Sequence, residues 1–169
     1  MRFSRVLGST NPVFTREKIH RADESMQDDA IIRKILKRDR VIAVVGLSDK
    51  PHRASHGVAE YMQRAGYRIV PVNPVLDGKR VLGERCHPSL TAAAAALARE
   101  GAAIAMVDVF RKSSEVAAVA DEAISIGAAS LWLQLDVIDE AAAARARAAG
   151  LDVVMDRCLK IEHRRLGLD

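Results

Sequence analysis

VIAVVGLSDKPHRASHGVAEYMQRAGYRIVPVNP, Val41 to Pro74, decides how this chain folds. An apolar, β-branched run from Val41 to Val45 stops at Gly46 and opens into a polar loop carrying Ser48, Lys50, Arg53 and Ser55. A helix-periodic segment follows, about Ser55–Ala65, and then a second strand, Arg68–Val72. Strand, polar turn, helix and strand in this order form half of a nucleotide-binding sheet. The first turn of such a sheet brings the unpaired N–H groups and positive dipole end of a helix up to a bound anion. A phosphorylated ligand is therefore expected at Gly46 to Ser55.

The alternation continues outward to the C-terminus. Further strands are expected at Arg80–Leu82, Ile104–Val107, Ser130–Leu133 and Asp152–Met155. Helices are expected at Pro88–Arg99, Ser113–Ile126, Asp139–Ala148 and Cys158–Leu166, with Pro88 in a first helical turn. Gly66, Gly101, Gly127 and Gly150 each follow a helical run and suit a left-handed C-cap. The run Ala92–Ala96 reads as helix propensity. Strict alternation with crossovers of this length requires a parallel sheet covered on both faces. The expected fold is a Rossmann-like three-layer α/β/α domain with a mostly parallel sheet.

Toward the N-terminus the pattern fades. Residues 1–24 mix Ser, Thr, Asn, Pro and charges without period and are expected to form a flexible tail. Residues 25–169 would then be the folded domain, beginning with a helix capped by Ser25. Asp28 and Asp29 would lie near its positive end, and Ile31, Ile32, Ile35 and Leu36 would form its apolar face. The net charge of +4 lies wholly in residues 1–40, with ten Lys/Arg against six Asp/Glu, while residues 41–169 carry sixteen of each. A solvated basic helix explains that leader more simply than a nucleic-acid surface. No apolar run approaches the roughly 20 residues that span a bilayer. No apolar signal core precedes His20. Two cysteines, Cys86 and Cys158, are too few for a disulfide scaffold or a zinc cage. A cytoplasmic protein with a core of ordinary size is expected, with no membrane partner and with a protein partner or homo-oligomer left open.

The first turn departs from the dinucleotide fingerprint. G-x-G-x-x-G would place glycines at 46, 48 and 51, where this chain has Gly46, Ser48 and Pro51. It offers instead hydroxyls at Ser48 and Ser55 and cations at Lys50 and Arg53, which suit a diphosphate. Alternatively, Ser55 caps the helix and the cations are solvated. NAD-binding units usually end the second strand in Asp or Glu, which accepts from the ribose. Here that end reads Pro71-Val72-Asn73-Pro74, with no carboxylate before Asp77. Asn73 supplies both a donor and an acceptor, or marks a plain turn. Lys79 and Arg80 could meet a further phosphate. The next strand end, VDVFRKSSE, offers Phe110 as an apolar wall, Arg111 as a charge, and Ser113 or Ser114 as a cap. In SLWLQLD, Gln134 stands polar among apolar neighbours, while Trp132 reads as core.

Taken in series, GLSDKPHRASHGVAEYMQRAGYRIVPVNP, VLGERCHPSL, VDVFRKSSEV, GAASLWLQLDV and VVMDRCLKIEHRRL resemble the small bacterial and archaeal CoA-binding proteins. These are stand-alone relatives of the CoA-binding domain in the succinyl-CoA synthetase alpha subunit. The similarity runs from about Val41 to Leu166 and omits the first forty residues. It implies coenzyme A or an acyl-CoA across the carboxyl edge of the sheet. Gly46, Leu47 and Ser48 would approach the phosphates with Lys50 and Arg53 nearby, and Val72, Asn73 and Pro74 would hold the adenosine end. By looser analogy with the synthetase, Lys79 would meet a phosphate, Val109, Phe110 and Arg111 would flank the cofactor, and Gln134 would mark another contact. The synthetase reaction needs a phosphohistidine from a second domain and an ATP-binding partner, so only the binding carries over.

Catalysis by this chain alone is not expected. His52, His56, His87 and His163 form no recognisable triad or metal spacing. Cys158 is the best nucleophile candidate, unless it is a small residue packed against the sheet edge. His163, five positions later, would point roughly 140° away on a helix, so it forms no dyad with Cys158. Two other functions stay open. One is an NADP-dependent oxidoreductase holding the 2′-phosphate on Lys79 or Arg80. The other is a nucleotide-sensing transcription regulator, for which a single leader helix is too little for a helix-turn-helix.

Overall fold

A computed structural model describes residues 16–168, with side chains from Ser25 onward. Of the tail expected over residues 1–24, residues 1–15 lie outside the described part. Contacts divide the chain into Met1–Ala30 and Ile31–Asp169. Helix α1, Arg16–Arg38, begins nine residues before the expected cap, so Ser25 lies within it and caps nothing. From Ile31 on, Ile32, Ile35 and Leu36 are fully buried.

The remaining elements alternate as expected: β1 (Val41–Val45), α2 (Ala54–Arg64), β2 (Arg68–Val72), β3 (Arg80–Val81), β4 (Glu84–Arg85), α3 (Leu90–Arg99), β5 (Met106–Val109), α4 (Val116–Ser125), β6 (Ser130–Leu133), α5 (Glu140–Ala148), β7 (Asp152–Val154) and α6 (Leu159–Arg165). Five strands form one parallel sheet in the order β2-β1-β5-β6-β7. The chain steps from β1 to β2 on one side and then crosses to β5 on the other. The connections leaving β1 and β5 therefore part to opposite faces of the sheet at the strands' carboxyl ends, where open sheets of this kind hold their ligands.

Alternation along the strands divides the core between the faces. Ala43, Val45, Val107, Val109, Leu131 and Leu133 pack with residues of α3, α4 and α5. Ile42, Val44, Ile69, Met106 and Trp132 pack on the other face with residues of α2, α6 and the end of α1. Trp132 is fully buried and its Nε1 donates to the Arg157 carbonyl at 2.7 Å, so it is core as expected. Asp39 ties the end of α1 to the sheet: it accepts from Ser130 Oγ at 2.6 Å and from Arg38. Burial raises the Asp152 carboxyl, but hydrogen bonds from Lys34 and Arg38 outweigh it and hold the group below its ordinary value. Part of the basic leader is thus spent on the chain's own carboxylates.

Several boundaries differ from expectation. The third main strand lies two residues later than expected, which places Asp108 and Val109 inside it. The segment expected as a strand at Arg80–Leu82 is shorter and leaves the main sheet, pairing with Glu84–Arg85 as a separate antiparallel hairpin. Ser89, not Pro88, opens α3: its side chain accepts from the Ala92 N–H. Arg53 is the N-cap residue of α2, so Ser55 lies within the helix. Ser113 belongs to a short 3-10 turn before α4, where its hydroxyl accepts from the Ile138 N–H at 2.9 Å.

Candidate functional site

At the switch point the backbone packs too closely for any residue but glycine. Gly46 has φ +86°, and a Cβ there would come within 2.4 Å of the Phe110 carbonyl oxygen. Its N–H donates to Val72 O at 2.8 Å, while Phe110 N–H donates to Val45 O at 2.9 Å. The ladder to β2 is thereby extended one residue past β1 and the ladder to β5 one residue past β5, which holds the three strand ends together.

The polar loop after Gly46 is internally bonded. Ser48 N–H donates to Ser55 Oγ at 3.1 Å, and Lys50 N–H donates to Ser48 Oγ at 3.1 Å. Ser55 is buried, so the expected phosphate hydroxyl shapes the loop from beneath. Leu47 is fully buried, which leaves only its backbone for a ligand. Asn73 uses each end of its amide once: Nδ2 donates to Leu47 O at 3.1 Å, and Oδ1 accepts from Val75 N–H at 3.1 Å. One N–H and one lone pair remain for a ligand. The side chain joins the loop after β1 to the turn after β2, beside the exposed Pro74.

Two clefts open along the carboxyl edge and share Arg111. One, of about 430 Å³, is lined by Val45, Val72, Pro74, Ser89 and Arg111 among others. The other, of about 520 Å³, is lined by Ala54, Val58, Phe110, Arg111, Gln134 and Cys158 among others. The expected residues Val72, Pro74, Phe110, Arg111 and Gln134 are thus brought to one edge. Val109 is fully buried in the core and lines neither cleft. Lys50, Arg53 and Lys79 are exposed, outside both linings and unpaired with any carboxylate among the described residues. Cys158 is half-buried: it packs in part against the core and also lines the larger cleft; α6 behind it has only seven residues. His163 is fully buried, with Nδ1 3.0 Å from the Tyr61 hydroxyl and its ring edge-on to Tyr67.

One residue of the site went unread in the sequence. Asp108 is fully buried in β5, and Gln134 Nε2 donates to its Oδ1 at 2.7 Å. Its other oxygen, Oδ2, has no hydrogen-bond partner among the described residues. Burial pushes its carboxyl up from 3.8 to about 7, opposed by the bond from Gln134. The visible signal was an acid inside an apolar strand of a parallel sheet, a place that is covered on both faces. No cluster of three or more metal-ligating side chains occurs among the described residues. No described helix is long and apolar enough to cross a membrane.

Comparison with known proteins agrees with this architecture. The CoA binding domain family matches residues 40–164. The uncharacterized protein YneT of Bacillus subtilis (strain 168) is 40% identical over 134 residues, covering 79% of this chain and 93% of its own length. Among solved structures, a hypothetical protein from Pyrococcus horikoshii OT3 is 34% identical with a TM-score of 0.72, covering 95% of this chain and 99% of its own. Cell-free ID.343 from Thermus thermophilus is 32% identical with a TM-score of 0.71, covering 82% of this chain and 98% of its own.

Proposed function

The chain belongs to the CoA binding domain family, and from that membership we propose that it binds coenzyme A or an acyl-CoA without turning it over. The observation that carries the reading is the pair of clefts meeting at Arg111 beside the Gly46 turn. An elongated ligand with a nucleotide at one end and a partly apolar arm at the other matches that arrangement. In this reading the cleft beside Val72 and Pro74 takes the adenosine, and the cleft beside Phe110 and Cys158 takes the arm. The diphosphate lies over the Gly46–Ser48 backbone, with Arg111 between the clefts and Lys50, Arg53 and Lys79 at the rim. A turn with no carboxylate favours this ligand over NAD. A protein that carries or senses CoA needs no catalytic group beyond these.

Thermal-shift measurements with CoA, dephospho-CoA, acetyl-CoA, NAD and NADP test the reading. A ligand at a hundredfold excess over Kd stabilises by about 2.7 kcal/mol. CoA or acetyl-CoA is expected to raise the melting temperature and the nicotinamide dinucleotides to leave it unchanged. A clear shift with NAD or NADP and none with CoA overturns it. Removing the rim cations separates phosphate contacts from solvated charge. Arg53→Ala and Lys79→Ala are each expected to weaken CoA by the 1.5–3 kcal/mol, roughly, of a charge-assisted bond, and Ser48→Ala by about 1 kcal/mol. Unchanged affinity in both cation variants, read by calorimetry, removes those residues from the phosphate site.

A further inference from the structure

We propose that Asp108 is a positioning residue for Gln134: it holds the amide so that Gln134 Oε1 faces the larger cleft and accepts a hydrogen bond from a ligand amide N–H. The proposal rests on the CoA reading above and deepens it. It assigns to this cleft a pantetheine-type arm, a chain of methylenes interrupted by secondary amides.

Geometry makes the assignment. Asp108 stands between Val44 and Trp132 in the register of the sheet, on the face that packs α2 and α6. It is 0% exposed, and Gln134, one strand over, is 4% exposed. Gln134 lines the cleft together with Val58, Phe110 and Cys158. A primary amide has donors on nitrogen and an acceptor on oxygen. Asp108 takes a donor from the interior side at 2.7 Å, and Oε1 has no partner among the described residues. Above about pH 7, where Asp108 is ionised, turning the amide over would set Oε1 against a carboxylate that can only accept, so the buried acid selects one orientation there. Gln134 Oε1 then gives the cleft a neutral acceptor beside its apolar wall of Ala54, Val58, Phe110 and Val137, where the other side-chain acceptors, Glu115 and Asp136, are carboxylates. Methylenes bury against that wall without polar help, but an amide N–H entering it must find an acceptor.

Stability does not explain an acid at this place. Asp108 Oδ2 is buried without a hydrogen-bond partner among the described residues, which carries a desolvation penalty that a leucine of similar size would avoid. The carboxyl gives back an oriented amide. Without Asp108, Gln134 Nε2 would itself be left unpaired and the amide free to present either end to the cleft.

Calorimetry at pH 8 on the full chain tests this. The probes are CoA and adenosine 3′-phosphate 5′-diphosphate, the same nucleotide without the pantetheine arm. Asp108→Leu and Gln134→Ala are each expected to weaken CoA about tenfold, a typical loss for one buried hydrogen bond. Neither should change binding of the armless nucleotide. Asp108→Asn offers Gln134 a donor as well as an acceptor and no longer selects one orientation, so it should lose less CoA affinity than Asp108→Leu without returning to the wild-type value. Combining Asp108→Leu with Gln134→Ala should cost no more than either alone, since both changes break one unit.

Three results overturn the proposal: a cooperatively melting Asp108→Leu protein that binds CoA as the wild type does, an equal loss for the armless nucleotide, or additive effects in the double variant. If the wild type binds both probes equally, the nucleotide site stands and the amide contact falls. A wild type that binds neither removes the CoA reading and this inference together.

Discussion

Gly46 shows how little freedom the switch point has. The left-handed backbone costs a residue with a Cβ about 1–2 kcal/mol, and here the added carbon would also meet the Phe110 carbonyl at 2.4 Å. The obstacle is backbone that β1 and β5 hold by hydrogen bonds, so no side chain can swing aside. Gly46→Ala is expected to lower stability by at least about 2 kcal/mol in urea melts and to weaken CoA, because the turn carrying Phe110 and Arg111 must move. Wild-type stability would mean that the two turns do not touch. Asp108 supplies a second prediction, with its sign set by proton linkage. The native carboxyl holds its proton up to about pH 7, whereas in the unfolded chain it lets go near 3.8. Between those values the native state binds more protons, so raising the pH through this window destabilises the fold. The full span corresponds to on the order of 4 kcal/mol, present below the unfolded value and lost by the time pH passes the folded one. Asp108→Asn should remove that slope, and denaturant melts at pH 5, 6, 7 and 8 would show it as a flatter profile. Parallel slopes for wild type and variant would show that Asp108 is ionised throughout.

At the scale of elements, the loop after β1 and the turn after β2 are held together by Asn73. Asn73→Ala removes the donor to Leu47 O and the acceptor for Val75 N–H. At about 1 kcal/mol for each neutral hydrogen bond, a loss of about 2 kcal/mol is expected in thermal or urea melts. Affinity should fall for ligands that carry adenosine and stay unchanged for free pantetheine, because the displaced turn borders only the cleft of Val72 and Pro74. An equal loss for both would remove that turn from the adenosine site. The same elements show what the sequence could and could not reveal. β1, β2 and β6 stand at the residues read from it because each is an apolar run closed off by a turn or a change of polarity. The apolar pattern places β5 two residues early because Asp108 interrupts its run and Ile104 opens another. α1 was begun too late because residues 16–24 have no apolar period to read. β3 stands where a short strand is expected, but β4 and the hairpin it closes are not legible, because a two-residue strand is no longer than the turns around it. Gly46 was legible as a tight turn from its place after an apolar strand. The pairing of Asp108 with Gln134 was not: those residues are 26 apart in the chain and meet only through the β5–β6 register. The internal hydrogen bonds of Asn73 and Ser55 were hidden for a related reason. Composition shows that a side chain can bond, but not whether the fold has already used it.

Across the whole molecule the two cysteines report on different events. Cys86 is fully buried beside the hairpin, and burial raises its thiol above the ordinary value. The thiolate is the reactive species, so a buried thiol held protonated is nearly inert until the chain opens. Its alkylation is therefore expected to follow the unfolding equilibrium and to accelerate with urea. Cys158 stands half-buried on the wall of the larger cleft and needs no unfolding to be reached. Iodoacetamide should label Cys158 first, leaving Cys86 unmodified in the folded protein, as peptide mass spectrometry would show. CoA at saturating concentration is expected to slow both reactions, for separate reasons. At Cys158 the arm occupies the cleft, so protection should need the pantetheine arm and be absent with adenosine 3′-phosphate 5′-diphosphate. At Cys86 protection comes only through stabilisation of the native state, so any ligand that binds should confer it in proportion to RT ln(1 + [L]/Kd). The ratio of the two rates thus separates occupancy of the cleft from tightening of the fold. Protection of Cys86 without protection of Cys158 would place the ligand's arm outside the cleft of Phe110 and Gln134, and would require a different path for CoA along the sheet edge.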